Sequence, residues 1–265
     1  MLVGTAASGT LIWWRFACAL VVGVAMQIGV NYANDYFDAV KGVDVPDRVG
    51  PRRAVASGLV SPGAMKAAMG VAFAVACAAG AALAIAVQPW LFAIGAAAVL
   101  AALGYSGGPR PYGSAGLGEI FVFLFFGLVA TVGSAYVQVE RVTSEAIASA
   151  IPIGLIAVAI LVVNNLRDIE TDRDAGKITL AVRLGRKHTK DLYDVLIVGA
   201  LVWTPVVAAI ADSLWALLGI FCAPLAFAGR RALTTGRAGA LAALRRTAAL
   251  QAAYGLLLSL GLWIS

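Results

Sequence analysis

The sequence predicts an all-α fold, a polytopic membrane helix bundle with eight full spans and the remnant of a ninth. Three observations predict it. Apolar residues make up 61% of the 265 residues and charged residues only 13%, whereas a soluble domain carries roughly 25% charged residues. The mean hydropathy is +0.89. Basic residues are concentrated in alternate connections between long apolar runs. We therefore expect a single transmembrane domain over residues 1–265.

Each predicted span is an apolar run close to the roughly 20 residues that a helix needs to cross a bilayer. The runs are rich in small residues, which let membrane helices pack closely, and they lack the two-residue alternation of a membrane β-barrel. Residues 1–9 are expected to be the end of a further helix. The eight spans are 11–35, 63–87, 90–106, 117–138, 147–166, 192–211, 213–230 and 247–264.

The connections alternate in charge. Of the 20 Lys and Arg residues, all but Arg15 and Arg141 lie in or beside four long or basic connections. Because Lys and Arg are enriched in cytoplasmic loops, these four connections are predicted to be cytoplasmic. The protein itself is expected in the plasma membrane. The same bias explains the net charge of +6, so this charge is no indication that the protein binds nucleic acid. The basic connections are 39–62, 107–116, 167–191 and 231–246.

Several kinds of chemistry are not expected. Cys18, Cys77 and Cys222 lie in separate apolar runs without CxxC spacing, so neither a disulfide framework nor a zinc site is predicted. His188 is the one histidine in the sequence, which rules out a pair of histidines within one chain. The start of the chain does not read as a signal peptide. The sequence contains no glycine-rich loop of a nucleotide-binding protein.

A cluster of polar residues stands at the end of the first full span. Asn31, Asp35 and Asp38 are three or four residues apart, so on a helix they share one face. Such residues can simply solvate a helix end. However, carboxylates at a helix C-terminus lie at the wrong end of the helix dipole.

A second cluster of the same kind follows the span at 147–166. Asn164, Asp168 and Asp172 stand at successive four-residue steps, again followed by a basic connection. The chain therefore reads as two pseudo-repeated halves, with acidic motifs at 31–38 and 164–172. Two clusters with the same unfavourable placement indicate one joint functional site.

Carboxylates and carboxamides that face one another suit Mg²⁺, which takes oxygen ligands and bridges to substrate phosphates. The neighbouring basic connections supply Lys and Arg for phosphate oxygens. Together they predict a site for a diphosphate at the membrane surface. A diphosphate with a long apolar tail fits better than a nucleotide, because the tail can lie among the helices or in the bilayer.

At these residues the sequence resembles the UbiA superfamily of intramembrane prenyltransferases. The family's two motifs stand here as Asn31-Asp35-Asp38 and Asp168-Asp172. Within the family, the stretches "NYANDYFDAVKGVDVPDRVGPRR", "GYSGGPRPYGSAGLGE" and "NNLRDIETDRDAGKITLAVRLG" resemble the 1,4-dihydroxy-2-naphthoate polyprenyltransferases of menaquinone synthesis. The resemblance implies a UbiA-type bundle around a central cavity. It also implies Mg²⁺-dependent transfer of a polyprenyl group from its diphosphate to the naphthoate ring, with loss of the ring carboxylate.

The resemblance implies a role for each matching residue. The expected catalytic residues are Asp35, Asp38, Asp168 and Asp172. Asn31, Asp35, Asp168 and Asp172 are expected to face the metal, with Asp38 either a further ligand or an orienting carboxylate. Tyr105 is expected near the reactive carbon, and Arg110 on the diphosphate. Lys177 and Arg183 are candidates for the diphosphate or the acceptor's carboxylate, and Arg48, Arg52 and Arg53 are weaker candidates.

Two alternatives remain open at the level of sequence. The acceptor can be another aromatic compound, such as 4-hydroxybenzoate, homogentisate or a chlorophyllide. A secondary transporter also has repeats and intramembrane charges, but its site lies near the bilayer midplane at broken helices. The acids of this sequence stand at helix ends beside basic connections, which favours an enzyme.

Overall fold

Helices account for nearly all the regular structure, because a segment inside a bilayer must satisfy its backbone hydrogen bonds internally. The computed structural model describes residues 1–42, 53–233 and 236–264. Within these ranges there are helices and no strand, so the predicted all-α class is confirmed. The α-helices are α1 (Leu2–Ala7), α2 (Trp13–Val40), α3 (Pro62–Ala86), α4 (Leu91–Ser106), α5 (Gly118–Val122), α6 (Ala130–Val139), α7 (Ser144–Arg167), α8 (Ile169–Asp174), α9 (Leu180–Ile210), α10 (Ala223–Ala232) and α11 (Gly236–Trp263).

Three further segments are helical, with turns that are tighter or wider than those of an α-helix. A π-helical segment, Phe123–Val129, joins α5 to α6, and a 3₁₀ segment, Leu214–Cys222, leads into α10. A single 3₁₀ turn, Gly113–Ala115, lies between α4 and α5. In α9 the chain bends at Gly185, whose φ of 73° and ψ of 169° are not helical. Glycine suits this position because a side chain would strain a positive φ.

Six runs in the described part of the chain are long and apolar enough to cross a membrane. They are Trp13–Val40, Pro62–Ala86, Gly118–Val139, Ser144–Arg167, Leu180–Ile210 and Leu214–Ala232. The predicted span at 90–106 is the shorter apolar helix α4, and the span predicted at 247–264 is the last part of α11. An integral membrane protein is confirmed, whereas the count of eight full spans stays a prediction.

Local sequence explains where the helices begin. Ser61, Thr143 and Thr179 stand immediately before α3, α7 and α9, and the side chain of each accepts a hydrogen bond from a backbone amide in the first turn. Such caps satisfy amides that have no partner within the helix. The cap at Thr179 marks the end of the connection that carries the second acidic motif.

The main apolar core lies between α7, α9, α10 and α11, with α1 packed against it. α7 is the most buried of the membrane-length helices, since 61% of its apolar 18-residue stretch is buried inside the protein. Its contact with the π-helical segment is close, since a Cβ at Gly127 would lie 2.7 Å from the Cα of Gly154. α2 packs mainly on α3 and α4. The carboxyl ends of α2, α4 and α7 meet, and polar residues are concentrated at this end of the bundle.

Candidate active site

A polar cleft lies where the carboxyl ends of α2, α4 and α7 meet. Three carboxylates and three carboxamides line it: Asp38, Asp168 and Asp172, and Asn34, Asn164 and Asn165. Two cations, Arg53 and Lys177, and the phenol of Tyr105 complete its polar wall. Residues from both acidic motifs therefore share one cleft, although they belong to different helices.

On the first side of the cleft, α2 continues past the predicted span end to Val40 and holds Asn34 and Asp38 one helical turn apart. Ser106 on α4 donates a 2.6 Å hydrogen bond to Asn34 Oδ1. Asp38 is buried, and its oxygens lie 3.1 Å from Lys177 Nζ and 3.6 Å from Arg53 Nη2. Because a buried carboxylate is costly without a counter-charge, these two cations stabilise it.

On the second side, the four-residue steps of the second motif do not continue along one helix. α7 ends at Arg167, Asp168 follows with a non-helical ψ of 8°, and Asp172 stands on the short helix α8. Arg167, only 3% exposed, donates to both oxygens of Asp168 at 2.7 and 2.6 Å. It also donates to Asn164 Oδ1 at 2.9 Å. This two-bond geometry fixes the plane of the Asp168 carboxylate.

Asn165 is held from behind. Its Nδ2 donates a 3.1 Å hydrogen bond to Glu119 Oε1, and both side chains are buried. Since the amide nitrogen is occupied by Glu119, the carbonyl oxygen of Asn165 is left to serve as an acceptor. Glu119 thus orients a side chain of the cleft.

Aromatic rings form the wall around Tyr105. The ring of Tyr105 meets Tyr112 edge to face at 5.5 Å, and Tyr112 stacks on Phe121 at 4.0 Å. Tyr112 donates to the carbonyl of Ala101 at 2.8 Å, and burial raises its pKa to about 12. The phenol therefore stays protonated and keeps this bond at any physiological pH. The rings give Tyr105 a fixed position at the edge of the cleft.

Of the residues predicted for the site, five line the cleft together: Asp38, Asp168, Asp172, Tyr105 and Lys177. Four do not line it: Asn31, Asp35, Arg110 and Arg183. Of the weaker candidates, Arg53 lies in the cleft, and Arg48 and Arg52 fall outside the described residues.

The four remaining residues have other surroundings. Asn31 is exposed and donates to the carbonyl of Gln27 on its own helix. Both oxygens of Asp35 accept backbone amides, those of Ala54 and Val55. The described contacts thus do not support the metal-facing role predicted for Asn31 and Asp35, which stays a prediction.

The two arginines are also elsewhere. Arg110 lies on the exposed turn after α4. Arg183 is exposed and donates a 2.8 Å hydrogen bond to the carbonyl of Ala115, which ties α9 to the turn before α5. Substrate contacts of either residue stay predictions.

The residues that sequence reasoning missed are Asn34, Asn165, Ser106, Glu119 and the pairing role of Arg167. One signal was available for Asn34, since Asn34-x3-Asp38 has the same spacing as Asn164-x3-Asp168, and both pairs line the cleft. In the cleft, Asn34 and Asp38 therefore correspond to Asn164 and Asp168. In the sequence, Arg167 is the first of the basic residues in the connection 167–191, and nothing there distinguishes it from the others.

The donor set of the cleft fits Mg²⁺ by its chemistry, since carboxylate and carboxamide oxygens are the ligands this ion takes. The described residues do not include three His, Cys, Asp or Glu side chains close enough to hold a metal by themselves. Lys177 and Arg167 instead occupy the carboxylates of Asp38 and Asp168.

Comparisons with known proteins agree on one relationship. The model of the UbiA prenyltransferase family matches residues 1–252. A 1,4-dihydroxy-2-naphthoate octaprenyltransferase of Mycobacterium leprae (strain TN) is 46% identical over 237 residues, covering 89% of this chain and 80% of that protein. The protein of the same name from Escherichia coli (strain K12) is 39% identical over 240 residues, covering 85% and 76%.

A solved structure supports the fold. It is described as a digeranylgeranylglyceryl phosphate synthase in membranes, and it aligns with a TM-score of 0.65 over 100% of this chain and 91% of its own. The sequence identity is 15%, so this likeness shows the fold alone.

Proposed function

Because the chain belongs to the UbiA prenyltransferase family, we propose that it transfers a polyprenyl group from polyprenyl diphosphate to 1,4-dihydroxy-2-naphthoate. The ring loses its carboxylate and keeps both hydroxyl groups, so the product is demethylmenaquinone in its reduced, naphthalenediol form. The similar proteins named for this naphthoate span most of the chain, which supports the acceptor. The observation that carries the proposal is the meeting of Asp38 and Asp168 in one polar cleft.

The cleft has the charge balance that a departing diphosphate requires. Breaking the bond between C1 and oxygen leaves an allylic cation and places a further negative charge on the diphosphate. Lys177 and Arg53, which contact Asp38 in the free protein, are placed to donate to diphosphate oxygens. Stabilisation of charge that develops in the transition state is usually the largest contribution to catalysis.

Mg²⁺ is proposed as the cofactor of this step. Asp38, Asp168 and Asp172 would hold it, with carboxamide oxygens from Asn34 and Asn164. When bound, the ion supplies Lewis-acid stabilisation of the leaving diphosphate. The chain's own contribution is to keep these oxygens together, with Arg167 holding the carboxylate of Asp168 in one plane.

Carbon–carbon bond formation needs no dedicated base. The ring carbon that carries the carboxylate donates its electrons to C1 of the prenyl group. Carbon dioxide then leaves, and the electrons of its bond restore the aromatic ring. Tyr105 offers an aromatic surface near the cation, an arrangement that stabilises positive charge. A site beside the bilayer also limits the access of water, which would otherwise trap the cation.

The surroundings of the enzyme follow from its charge distribution. The basic connections are proposed to be cytoplasmic, because cytoplasmic loops are enriched in Lys and Arg. The membrane is proposed to be the plasma membrane. The polyprenyl tail would then lie among apolar helices while its head and the naphthoate reach the cleft from the cytoplasmic side.

Identification of the product tests this proposal. The purified chain in lipid would receive Mg²⁺, a polyprenyl diphosphate and equal concentrations of dihydroxynaphthoate, 4-hydroxybenzoate and homogentisate. Mass spectrometry should detect the decarboxylated prenyl naphthalenediol and release of carbon dioxide in equal amounts. Prenylation of one of the other acceptors instead would overturn the substrate. Movement of an unaltered substrate across sealed vesicles would support a transporter instead.

A further inference from the structure

Asp35 belongs to the first acidic motif, but it does not line the cleft. Oδ2 accepts the backbone amide of Ala54 at 2.8 Å, and Oδ1 accepts that of Val55 at 3.1 Å. The side chain is only 8% exposed. In the described part of the chain, neither oxygen forms an ion pair with a Lys or Arg side chain. Because both oxygens accept backbone amides, Asp35 acts by holding this part of the chain in place.

The backbone that Asp35 holds is a compact turn. The amide of Ser57 donates to the carbonyl of Arg53 at 3.0 Å, and the amide of Val60 to that of Ala54 at 3.1 Å. Gly58, with a φ of +73°, lets the chain reverse before Ser61 caps α3. The amides of Ala54 and Val55 begin this turn, and a carboxylate that accepts them both fixes where the turn lies on α2.

The position of the turn decides where Arg53 lies. Arg53 immediately precedes the two amides, and its Nη2 reaches Asp38 in the cleft at 3.6 Å. Asp35 and Asp38 stand three residues apart on α2, so one helix turn carries both contacts. Asp35 holds the backbone at Ala54 and Val55, and Asp38 contacts the side chain of the preceding residue, Arg53.

We propose that Asp35 is a positioning residue that places Arg53 in the cleft for the diphosphate. The role rests on the proposed function for its substrate, but the contact itself does not. The two acids of the first motif, Asp35 and Asp38, therefore have different roles. Asp38 faces the reacting groups, and Asp35 fastens the chain that returns toward them.

Four variants test the assignment: Asp35→Asn, Asp35→Ala, Arg53→Ala and the double variant Asp35→Ala with Arg53→Ala. Asp35→Asn keeps the shape of the side chain and one of the two acceptor oxygens but loses the second hydrogen bond, so kcat/KM should fall by no more than about fivefold. Asp35→Ala should raise the KM for polyprenyl diphosphate about tenfold, with the Mg²⁺ concentration for half activation unchanged. The double variant should be no worse than Arg53→Ala, because Asp35 acts through Arg53. Asp191→Ala, exposed on α9, serves as the control and should match the wild type.

Proteolysis provides a readout that does not depend on the acceptor. Trypsin should cut the Arg53–Ala54 bond at least about tenfold faster in Asp35→Ala than in the wild type, because local opening exposes it. Asp35→Asn should be intermediate. If the wild type prenylates another acceptor, the substrate proposal fails while this cleavage result still stands. If Asp35→Asn loses as much activity as Asp35→Ala and both need more Mg²⁺, Asp35 is a metal ligand and the positioning role is wrong. Additive losses in the double variant, or unchanged cleavage at Arg53, would also overturn it.

Discussion

Lys177 Nζ lies 3.1 Å from Asp38 Oδ1, although 139 residues separate the two in the chain. This ion pair joins the end of α2 to the connection that follows the second acidic motif. Lys177 also donates its backbone amide to the carbonyl of Asp172 at 2.8 Å. One residue therefore contacts both motifs. In the free protein its ammonium balances a carboxylate that the proposed mechanism assigns to a metal, so Lys177 must exchange partners when the substrate binds.

Removal of the Lys177 charge should weaken diphosphate binding. In Lys177→Met, the KM for polyprenyl diphosphate should rise about tenfold, as expected for loss of one charge-assisted hydrogen bond. Lys177→Arg should recover most of that loss. Steady-state kinetics over a range of diphosphate concentrations measures both effects.

Lys187→Met is the matched control, since Lys187 is exposed on α9 and does not line the cleft. It should leave KM within about twofold of the wild type, the scatter expected for a surface charge. Equal effects at Lys177 and Lys187 would show that the charges matter only for topology.

The buried pair of Glu119 and Asn165 allows a test of orientation. Glu119→Gln keeps an acceptor for Asn165 Nδ2, whereas Glu119→Leu leaves that buried donor without a partner. The leucine variant should lose about 1–3 kcal/mol of stability, the cost of an unsatisfied buried polar group. It should also turn over more slowly, and the glutamine variant should approach the wild type. Thermal unfolding in detergent and kcat report the two effects. Equal loss of kcat in both variants would mean that the negative charge of Glu119 takes part in the reaction.

Close packing of α7 gives a test of the fold. A Cβ at Gly127 would lie 2.7 Å from the Cα of Gly154, and backbone cannot move aside as a flexible side chain can. Gly127→Ala should therefore cost about 1–3 kcal/mol, the usual cost of overpacking. Gly133→Ala is the control on α6, because a Cβ there meets nothing within 4 Å. The apparent melting temperature in detergent should fall for the first variant and hold or rise for the second. The same fall in both variants would contradict the close packing of Gly127 on Gly154.

The helices and the existence of a joint acidic site were predictable, because long apolar runs admit few structures in a bilayer and two similar motifs invite pairing. The orientation of individual acids was not. Whether Asp35 or Asp38 faces the cleft depends on the amides of Ala54 and Val55, which approach α2 only in the folded chain. The helix break at Asp168 also has no local signal in the four-residue spacing. Contacts with a distant segment decided the first of these.

The central claim is that Asp38 and Asp168 act on one diphosphate together with Mg²⁺. The most direct measurement is Mg²⁺-dependent turnover of the wild type, Asp38→Asn, Asp168→Asn and the double variant, each checked for correct folding by its melting temperature. Each single variant should lose about 10²–10³-fold in kcat, the usual cost of removing one electrostatic contact to developing charge. The double variant should lose little more than either single variant, since the two residues act as a unit. Wild-type turnover by a folded Asp38→Asn or Asp168→Asn variant, with the usual need for Mg²⁺, would contradict the account.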